Sequence, residues 1–593
     1  MKQLLCLLFL LLGTLSYSQS DEELAAEYFK QGQFEKALII YKKLDEAQPG
    51  NYNYSHHLIK TYQELKQYPQ AEKLLLSKIA QYQNPTLIID LGYNYQLQNN
   101  ETKAEYYYKQ ALSKIEEGPI YTALIARSFE QYNLLDYAVQ TYKKGMALEP
   151  KLNYSRELAA IYGEQGNIEG MFLNYMDFLE AKPDYLNTTK RLFSEFISEN
   201  KESNNNILLR KLLLKKIQSA PETYLYDLLS WLYVQEKAYD KAFVQEKALY
   251  LRDRESLSRI MELALTAISE KEDATATTIL NYILENTQEI STILLAHQYL
   301  LNLQIKSATS KKFPLIKSRY EALFDNYGST ENTLGLQIAY ADFIAFHLNQ
   351  PEEASNFLKE SLNSKISQTQ QAHVKMKLGD ILVFQEKFNE ALIYYTHIQA
   401  NVKNSVLAQE ARFKVAKTSY YKGDFEWAES QLKILKASTS QLIANDALDL
   451  KLLISDNKYE DSLHVALKLY AKADLMAFQN KNEAAISLLD RILSEHKGER
   501  IEDQALFKQA ELFVEDKLYD KAVENYQAII TYHKYGILAD DAYFNLAMLY
   551  VTIFEEPEKA KPLFEKIIFD HQDSIYFVEA RKQFRMIRGD AIN

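Results

Sequence analysis

The chain has 593 residues, of which 47% are hydrophobic and 25% are charged, and its formal net charge is −12 at pH 7. Such a chain is too long for one ordinary domain and too apolar to be disordered, so several domains or a repeat array are expected. Lys and Arg do not cluster in any segment. This argues against a nucleic-acid partner, because such partners are held by clustered cations.

The first residues have the pattern of an export signal. An apolar run from Leu4 to Leu12 follows Lys2, and small and polar residues follow the run. The run is too short for a hydrocarbon core of ~30 Å, which takes ~20 residues, so a signal peptide over residues 1–18 is predicted. A buried first helix is the alternative. No later segment is apolar enough to span a membrane, and a periplasmic location is expected.

Cysteine usage limits the chemistry of the mature chain. The only cysteine, Cys6, lies inside the apolar run and not at its end, where a lipoprotein signal would place it. A lipid anchor is therefore not indicated. The processed chain would have no thiol, which excludes disulfides, thiolate–metal sites and thiol nucleophiles.

After the signal segment, a unit of about 34 residues repeats five times. A small-residue column at separations of 34, 33, 34 and 33 residues consists of Ala37, Ala71, Ala104, Ala138 and Met171. Nine residues earlier stands an aromatic column: Tyr28, Tyr62, Tyr95, Phe129 and Tyr162. Four residues later, four of the five side chains are again aromatic: Tyr41, Leu75, Tyr108, Tyr142 and Tyr175. Three columns in register predict a repetitive packing unit.

The residue types in these columns predict that each unit is a pair of antiparallel helices. Two helices approach closely only where side chains are small, which explains the alanines and the small residues expected opposite them: Ala25, Gly92, Ala126 and Ala159. Residues suited to a left-handed turn are expected to end the first helix: Gly32, Asn99, Asn133 and Gly166. Prolines are expected to stop the second helix: Pro49, Pro150 and Pro183.

The pattern resembles the tetratricopeptide repeat (TPR). The third unit carries the likeness through Leu91, Gly92, Tyr95, Ala104, Tyr108 and Ala111. The resemblance implies an all-α solenoid of antiparallel helix hairpins that winds into a superhelix. It assigns residues 19–183 to an amino-terminal TPR array.

The rest of the chain continues the pattern with changes of period. Residues 184–306 read as degenerate helical repeats, and the polar run 200–206 as a turn. The apolar period is lost over 307–314, where the main break is expected. Residues 315–593 form a second array with a period of about 37 residues, turns at Gly423 and Asn480, an inserted helix at about 442–455, and a capping helix at about 575–588.

The second array is similar to periplasmic TPR proteins of the Tol-Pal and outer-membrane assembly systems. The residues that carry this likeness are Ala542, Tyr550, Ala560, Phe564, Ser574 and Ala580. The similarity implies partners among envelope or outer-membrane proteins.

Catalytic and cofactor motifs are missing from the sequence. It has no zinc-protease motif, no nucleophile elbow and no phosphate-binding loop. His56 and His57 are adjacent, but neighbours in a helix point about 100° apart, so the pair is not expected to hold one metal. We expect no enzyme activity, no metal and no cofactor.

The TPR resemblance also indicates where a partner binds. In such arrays the first helices line a concave face, whose outward positions here include Asn53, Lys60, Tyr93, Gln96, Arg127, Glu130 and Arg156. Lys60, Arg127 and Arg156 put three cations on this face with Tyr93 among them, which suits an extended peptide or a carboxylate-bearing tail. Ordinary solvated charges on an exposed helix face are the alternative.

The sequence therefore favours a scaffold or adaptor of a bacterial cell-envelope complex that binds partner segments on the concave face. A non-catalytic accessory or regulatory subunit of a cell-wall or secretion enzyme is the alternative. Neither of these two functions requires a catalytic site in this chain.

Overall fold

The computed structural model describes residues 21–82, 84–254, 256–435, 440–458 and 463–590. The predicted signal peptide and Cys6 lie outside the described residues. Regular structure within them is helical throughout, so the predicted all-α class is confirmed. The chain divides into two compact units, Met1–Glu255 and Ser256–Asn593.

The first unit consists of helix hairpins. Its described helices are α1 (Asp21–Lys30), α2 (Phe34–Ala47), α3 (Tyr52–Glu64), α4 (Tyr68–Tyr82), α5 (Pro85–Gln96), α6 (Glu101–Glu117), α7 (Thr122–Gln131), α8 (Leu135–Leu148), α9 (Ser155–Glu164), α10 (Ile168–Ala181), α11 (Leu186–Ser194), α12 (Asn204–Ser219), α13 (Thr223–Gln235) and α14 (Tyr239–Arg252). Short 3-10 turns at Pro119–Tyr121 and Pro183–Tyr185 precede α7 and α11.

The second unit continues the same architecture. Its described helices are α15 (Ser258–Ser269), α16 (Asp273–Asn286), α17 (Ile290–Ser307), α18 (Phe313–Tyr327), α19 (Leu334–Asp342), α20 (Pro351–Ser361), α21 (Gln368–Phe384), α22 (Phe388–Asn401), α23 (Val406–Lys422), α24 (Phe425–Leu435), α25 (Gln441–Asn457), α26 (Val465–Phe478), α27 (Asn482–Glu495), α28 (Ile501–Glu515), α29 (Tyr519–Tyr532), α30 (Ala539–Thr552), α31 (Pro557–Asp570) and α32 (Phe577–Arg588). A π-helical turn, Phe343–His347, follows α19.

The turn inside each hairpin is left-handed, as predicted. The expected residues have positive φ angles: Gly32 (74°), Asn99 (58°), Asn133 (55°) and Gly166 (71°). Glycine and asparagine tolerate this conformation best, which is why they stand here. The same backbone occurs at Lys66 (56°), so the second hairpin turns in the same way with a less suited residue.

The second unit repeats this turn at regular spacing. Gly423 and Asn480, predicted as turn residues, have φ angles of 85° and 57°. Five residues after each follows a fully buried alanine, Ala428 or Ala485, as in the first unit. The hairpin geometry is therefore common to both units, and the predicted repeat is confirmed.

The small-residue column marks the closest approach of the two helices in a hairpin. Ala37, Ala71 and Ala138 are fully buried, and Ala104 is 3% exposed. A Cβ atom added to Gly92 would lie 2.5 Å from Cε1 of the Tyr108 ring and 3.2 Å from the Ala104 carbonyl oxygen. The glycine is thus required by the packing of α5 against α6.

Helix ends follow the proline signals. The helices α2, α8 and α10 each end two residues before Pro49, Pro150 and Pro183. The run 200–206 is a turn only in part, because α12 already begins at Asn204, capped by the Ser203 side chain. Serine at this position satisfies a free backbone N–H, which extends the helix into a polar run.

The segment 307–314 separates two helices of the second unit. The helix α17 ends at Ser307, and α18 begins at Phe313 after a short 3-10 turn, Ser310–Lys312. The division observed in the chain lies instead between 255 and 256. The domain boundaries inferred from the sequence at 183, 306 and 315 stay predictions.

The inserted helix and the capping helix are both present, as α25 and α32. In α32 the only buried residue is Ala580, as suits the last helix of an array. Among the described residues, every helix is too short or too polar to cross a membrane.

Candidate functional site

The four residues predicted to contact a partner lie on the first helices of four successive hairpins. Lys60 is on α3, Tyr93 on α5, Arg127 on α7 and Arg156 on α9. The first three share one repeat position, two residues before the aromatic column, whereas Arg156 stands in register with His56. We call the solvent-accessible side of α3, α5, α7 and α9 the first-helix face.

The cations of the first-helix face differ in their surroundings. Arg127 and Arg156 are exposed, whereas Lys60 is half-buried. The Arg156 guanidinium lies 3.6 Å from the carboxylate of Glu157, which offsets part of its charge. Arg127 has no carboxylate within ion-pair distance among the described residues. Of the cations on this face, Arg127 is therefore the one best able to bind an anionic group of a partner.

Two other side chains of the face are held in place by tyrosines of the second helices. The Tyr108 hydroxyl donates to Oε1 of Gln96 at 2.6 Å, and the Tyr142 hydroxyl donates to Oε1 of Glu130 at 2.7 Å. The two bonds join equivalent positions of consecutive hairpins. Asn53 lies exposed in the first turn of α3.

The Tyr142 hydroxyl lies near the charges of both Glu130 and Arg127. Burial raises the pKa of Tyr142, and the hydrogen bond to Glu130 raises it further, while the nearby charge of Arg127 offsets part of the change. The phenol is therefore a permanent donor at neutral pH. Glu130 accepts this hydrogen bond through Oε1, so the charges of Glu130 and Arg127 both act on the Tyr142 phenol.

Tyr93 is half-buried and packs flat on another ring. Its ring centroid lies 4.1 Å from that of Tyr132, with an interplanar angle of 26°. Stacked aromatic pairs of this kind stabilise their own geometry. Tyr93 is thus held by stacking at the repeat position that Lys60 and Arg127 occupy in the neighbouring hairpins.

Beneath this platform lies a buried carboxylate that the sequence interpretation missed. Asp90 on α5 is 1% exposed, and its Oδ1 accepts a hydrogen bond of 2.8 Å from the Tyr132 hydroxyl. Its Oδ2 lies 3.6 Å from Nδ1 of His56, and has no hydrogen-bond partner among the described residues. Tyr52 stacks on the His56 ring at 5.5 Å. The network joins three successive hairpins.

The network imposes protonation states on its members. Burial raises the pKa of Tyr132 far above its ordinary value, and the Asp90 charge raises it further. Burial and the same charge also raise the pKa of Tyr52. Both phenols therefore stay protonated, and the Tyr132 hydroxyl remains the donor to Asp90.

The adjacent histidines face different neighbours. His57 stacks on Tyr41 with ring centroids 5.2 Å apart, and burial, followed by the charges of His56 and Lys60, lowers its pKa. The two histidine rings are 6.1 Å apart and inclined by 64°. In the described part of the chain, no three His, Cys, Asp or Glu side chains are grouped to hold a metal.

In the second unit, the first helices carry charges that neutralise each other. Asp342 pairs with Lys377 at 2.6 Å, and Asp380 pairs with Lys414 at 3.0 Å. Each pair joins the first helices of neighbouring hairpins. Further along, Lys417 on α23 pairs with Asp474 on α26 at 2.7 Å. These cations already have partners, in contrast to Arg127.

Comparisons with known proteins do not assign the chain to a family. No family model and no curated protein matches the chain. Solved structures match at 13% identity: the APC/C hetero-tetramer Cut9–Hcn1 (95% of this chain, 95% of that chain, TM-score 0.25), Naa15/Naa10 bound to HypK-THB (95%, 96%, 0.28) and yeast Tom70 (85%, 99%, 0.28). The assignment to TPR-type hairpins rests on the turns, crossings and buried columns described above.

The structure brings together more of the site than the charge pattern predicted. Lys60, Tyr93 and Arg127 follow one another along the first-helix face, while Arg156 lies in another row. The signal for the buried cluster was Asp90 itself, a carboxylate inside the apolar run 87–91. A charge in such a run has to be paired, which points to a partner elsewhere in the chain.

Proposed function

We propose that this protein is a non-enzymatic scaffold that holds a carboxylate-bearing segment of another protein on the first-helix face. The observation that carries the proposal is the exposed guanidinium of Arg127, which has no ion-pair partner among the described residues and stands at the same repeat position as Tyr93 of the Tyr93–Tyr132 platform. Arginine binds carboxylates through two parallel hydrogen bonds, and such charge-assisted bonds are the strong ones.

The geometry supports an extended segment as the occupant. Residues of equivalent position on consecutive first helices offer a series of contacts along one direction, which suits an extended chain better than a compact surface. Arg127 and Arg156 would bind acidic groups, and Tyr93 would pack against an apolar or planar one. The tyrosine bonds to Gln96 and Glu130 pre-organise the surface and so lower the entropy cost of binding.

The cellular setting of the proposal comes from the sequence. With residues 1–18 removed as a signal peptide, the protein would act in the periplasm, as an adaptor of an envelope complex. Its partners would be envelope or outer-membrane proteins. The intact mass of the protein recovered from the envelope checks this, and a mass that includes the first 18 residues would contradict it.

The test of partner binding is affinity purification from envelope fractions with Arg127→Ala/Arg156→Ala as the variant. Hydrogen bonds to charged groups contribute about 1.5–3 kcal/mol, so the double variant should recover at least about tenfold less partner. Its thermal unfolding should be unchanged, because both side chains are exposed.

The matched control is Arg254→Ala, which removes an exposed arginine from the turn after α14. It should recover as much partner as the unmodified protein. Full partner recovery with the folded double variant would place the binding surface elsewhere and refute the proposal.

A further inference from the structure

The second unit contains a cavity of about 630 Å3 that the partner-binding proposal does not use. It lies among α16, α17 and α18. This volume is in the range of small-molecule sites, which are generally concave and mostly apolar with a few polar groups. The chemistry of its wall therefore determines which ligand it suits.

Part of the cavity wall is apolar, although polar side chains, Asn281 and Asn326 among them, also line it. We call the apolar part the leucine floor. Four leucines from the three helices form it: Leu284, Leu300, Leu301 and Leu323. Leu300, Leu301 and Leu323 are less than a tenth exposed, and so belong to the packed interior of the unit. An aliphatic chain lying on this floor would be removed from water, and burial of apolar surface is what drives such binding.

The rim carries one full charge, and it is positive. Among the described residues that line the cavity, Arg319 is the only one that is ionised at neutral pH. The acidic residues of α18, Glu321 and Asp325, do not line it. Burial lowers the pKa of His297, so this imidazole is neutral at pH 7 and adds no charge.

The Arg319 guanidinium is positioned but not neutralised. One of its terminal nitrogens, Nη1, donates to Oε1 of Gln304 at 2.6 Å, and no carboxylate lies within ion-pair distance among the described residues. An amide oxygen orients the guanidinium without cancelling its charge. The remaining N–H groups can bind two oxygens of one anion, the geometry that arginine offers to carboxylates.

From these features we infer that the cavity binds an aliphatic molecule with a single carboxylate, of the fatty-acid type. The alkyl chain lies on the leucine floor, and the carboxylate pairs with Arg319. One cation is too few for a polyphosphate, and a cationic amphiphile would meet Arg319 as a like charge. This site is independent of the first-helix face and of the function proposed for it.

Isothermal titration calorimetry of the full chain tests the assignment with three ten-carbon probes below their micelle-forming concentrations: decanoate, decan-1-ol and decylamine. Decanoate should bind tightest, decan-1-ol more weakly and decylamine weakest. Shortening the alkyl chain of decanoate by one methylene should weaken binding about fourfold, which is the effect of one buried CH2. Equal affinity for decylamine and decanoate, or no binding of decanoate, would overturn the inference.

Two variants separate the charge from the cavity. Arg319→Gln should weaken decanoate about tenfold or more and leave decan-1-ol unchanged. Ala322→Phe changes an exposed lining residue and should fill the cavity, so that neither probe binds. Lys312→Gln removes an exposed cation that does not line the cavity and should change nothing. Unchanged decanoate affinity in either of the first two variants would refute the site.

Discussion

Asp90 places a carboxyl group where water does not reach it. The carboxylate is 1% exposed, and its one hydrogen bond among the described residues comes from Tyr132. An unpaired buried charge costs several kcal/mol, so the phenol matters more for the cost it prevents than for the bond it adds. The sequence could not predict this pairing, because the residues are 42 positions apart and their contact depends on how consecutive hairpins are rotated.

Replacing Tyr132 by Phe should destabilise the first unit by about 1.5–3 kcal/mol, because Asp90 loses its charged hydrogen bond. The thermal unfolding midpoint, followed by circular dichroism, measures this. Tyr121→Phe, at an exposed tyrosine, is the control and should have no effect. In an Asp90→Asn background the loss should be smaller, and an equal loss there would show that the carboxylate is not the reason.

His57 should make stability depend on pH. Burial lowers its pKa in the folded state, so the unfolded chain binds more protons once the pH falls below the ordinary value of about 6.5. Its contribution to stability is complete above that value and is lost as the pH falls. His57→Gln should therefore reduce the drop in unfolding midpoint between about pH 7.5 and about pH 5.5.

The pH comparison is made between the variant and the unmodified protein because other groups act with the opposite sign. Burial raises the pKa of Asp503 and Asp541, so these carboxyl groups take up protons more readily in the folded state. Their effect is common to both proteins and cancels in the difference. An unchanged pH dependence in His57→Gln would contradict the assignment to this residue.

At the scale of helices, the sequence predicted most of what is observed, because local chemistry determines it. Glycine or asparagine in the left-handed turn and alanine at the crossing act within one hairpin, and both positions were confirmed. Lys66 shows the limit of this reasoning. Its turn has φ 56° because the tertiary arrangement of α3 and α4 requires it, although lysine does not favour that backbone.

Gly92→Ala tests the helix crossing. The added Cβ would lie 2.5 Å from the Tyr108 ring and 3.2 Å from a backbone oxygen, so the two helices would have to move apart. Overpacking of this kind costs about 1–3 kcal/mol, against about 1 kcal/mol gained from the better helix propensity of alanine. A lower unfolding midpoint is expected.

Gly163→Ala is the matched control on α9. Its added Cβ would meet the flexible Met171 sulfur at 3.2 Å, which can move aside. This variant should unfold at the same temperature as the unmodified protein or above it. If both glycine variants behave alike, close packing at Gly92 is not what requires the glycine.

At the scale of the whole molecule, the division by contacts and the change of repeat period describe different properties of the chain, and the predicted break stays a prediction. Contacts separate Met1–Glu255 from Ser256–Asn593, whereas the change of repeat period predicted a boundary over 307–314. The repeat period reflects the lengths of the helices and loops in one hairpin. The division into compact units reflects how densely the residues on either side of a point in the chain pack against each other. The first can be read from residue spacing, and the second depends on tertiary packing.

Limited trypsin digestion distinguishes the two boundaries. We expect the first cleavage after Arg254, which is exposed and adjoins the division between the units. Cleavage after Lys311 or Lys312 should be slower, because both belong to the 3-10 turn that leads into Phe313, which packs against Phe343. The masses of the early fragments decide, and first cleavage at Lys311 or Lys312 would support the boundary inferred from the sequence.

The ion pair between Lys417 and Asp474 connects residues 57 positions apart, with α25 between them in the chain. The helices α23 and α26 are nevertheless in direct contact. Length has thus been added to the chain here without changing which hairpins are neighbours. The helix α25 is itself part of the packed interior, because Ala447, Leu450 and Ile454 are buried in the same core cluster as residues of α23, α24 and α26. Deleting α25 to restore the shorter spacing should therefore expose that core.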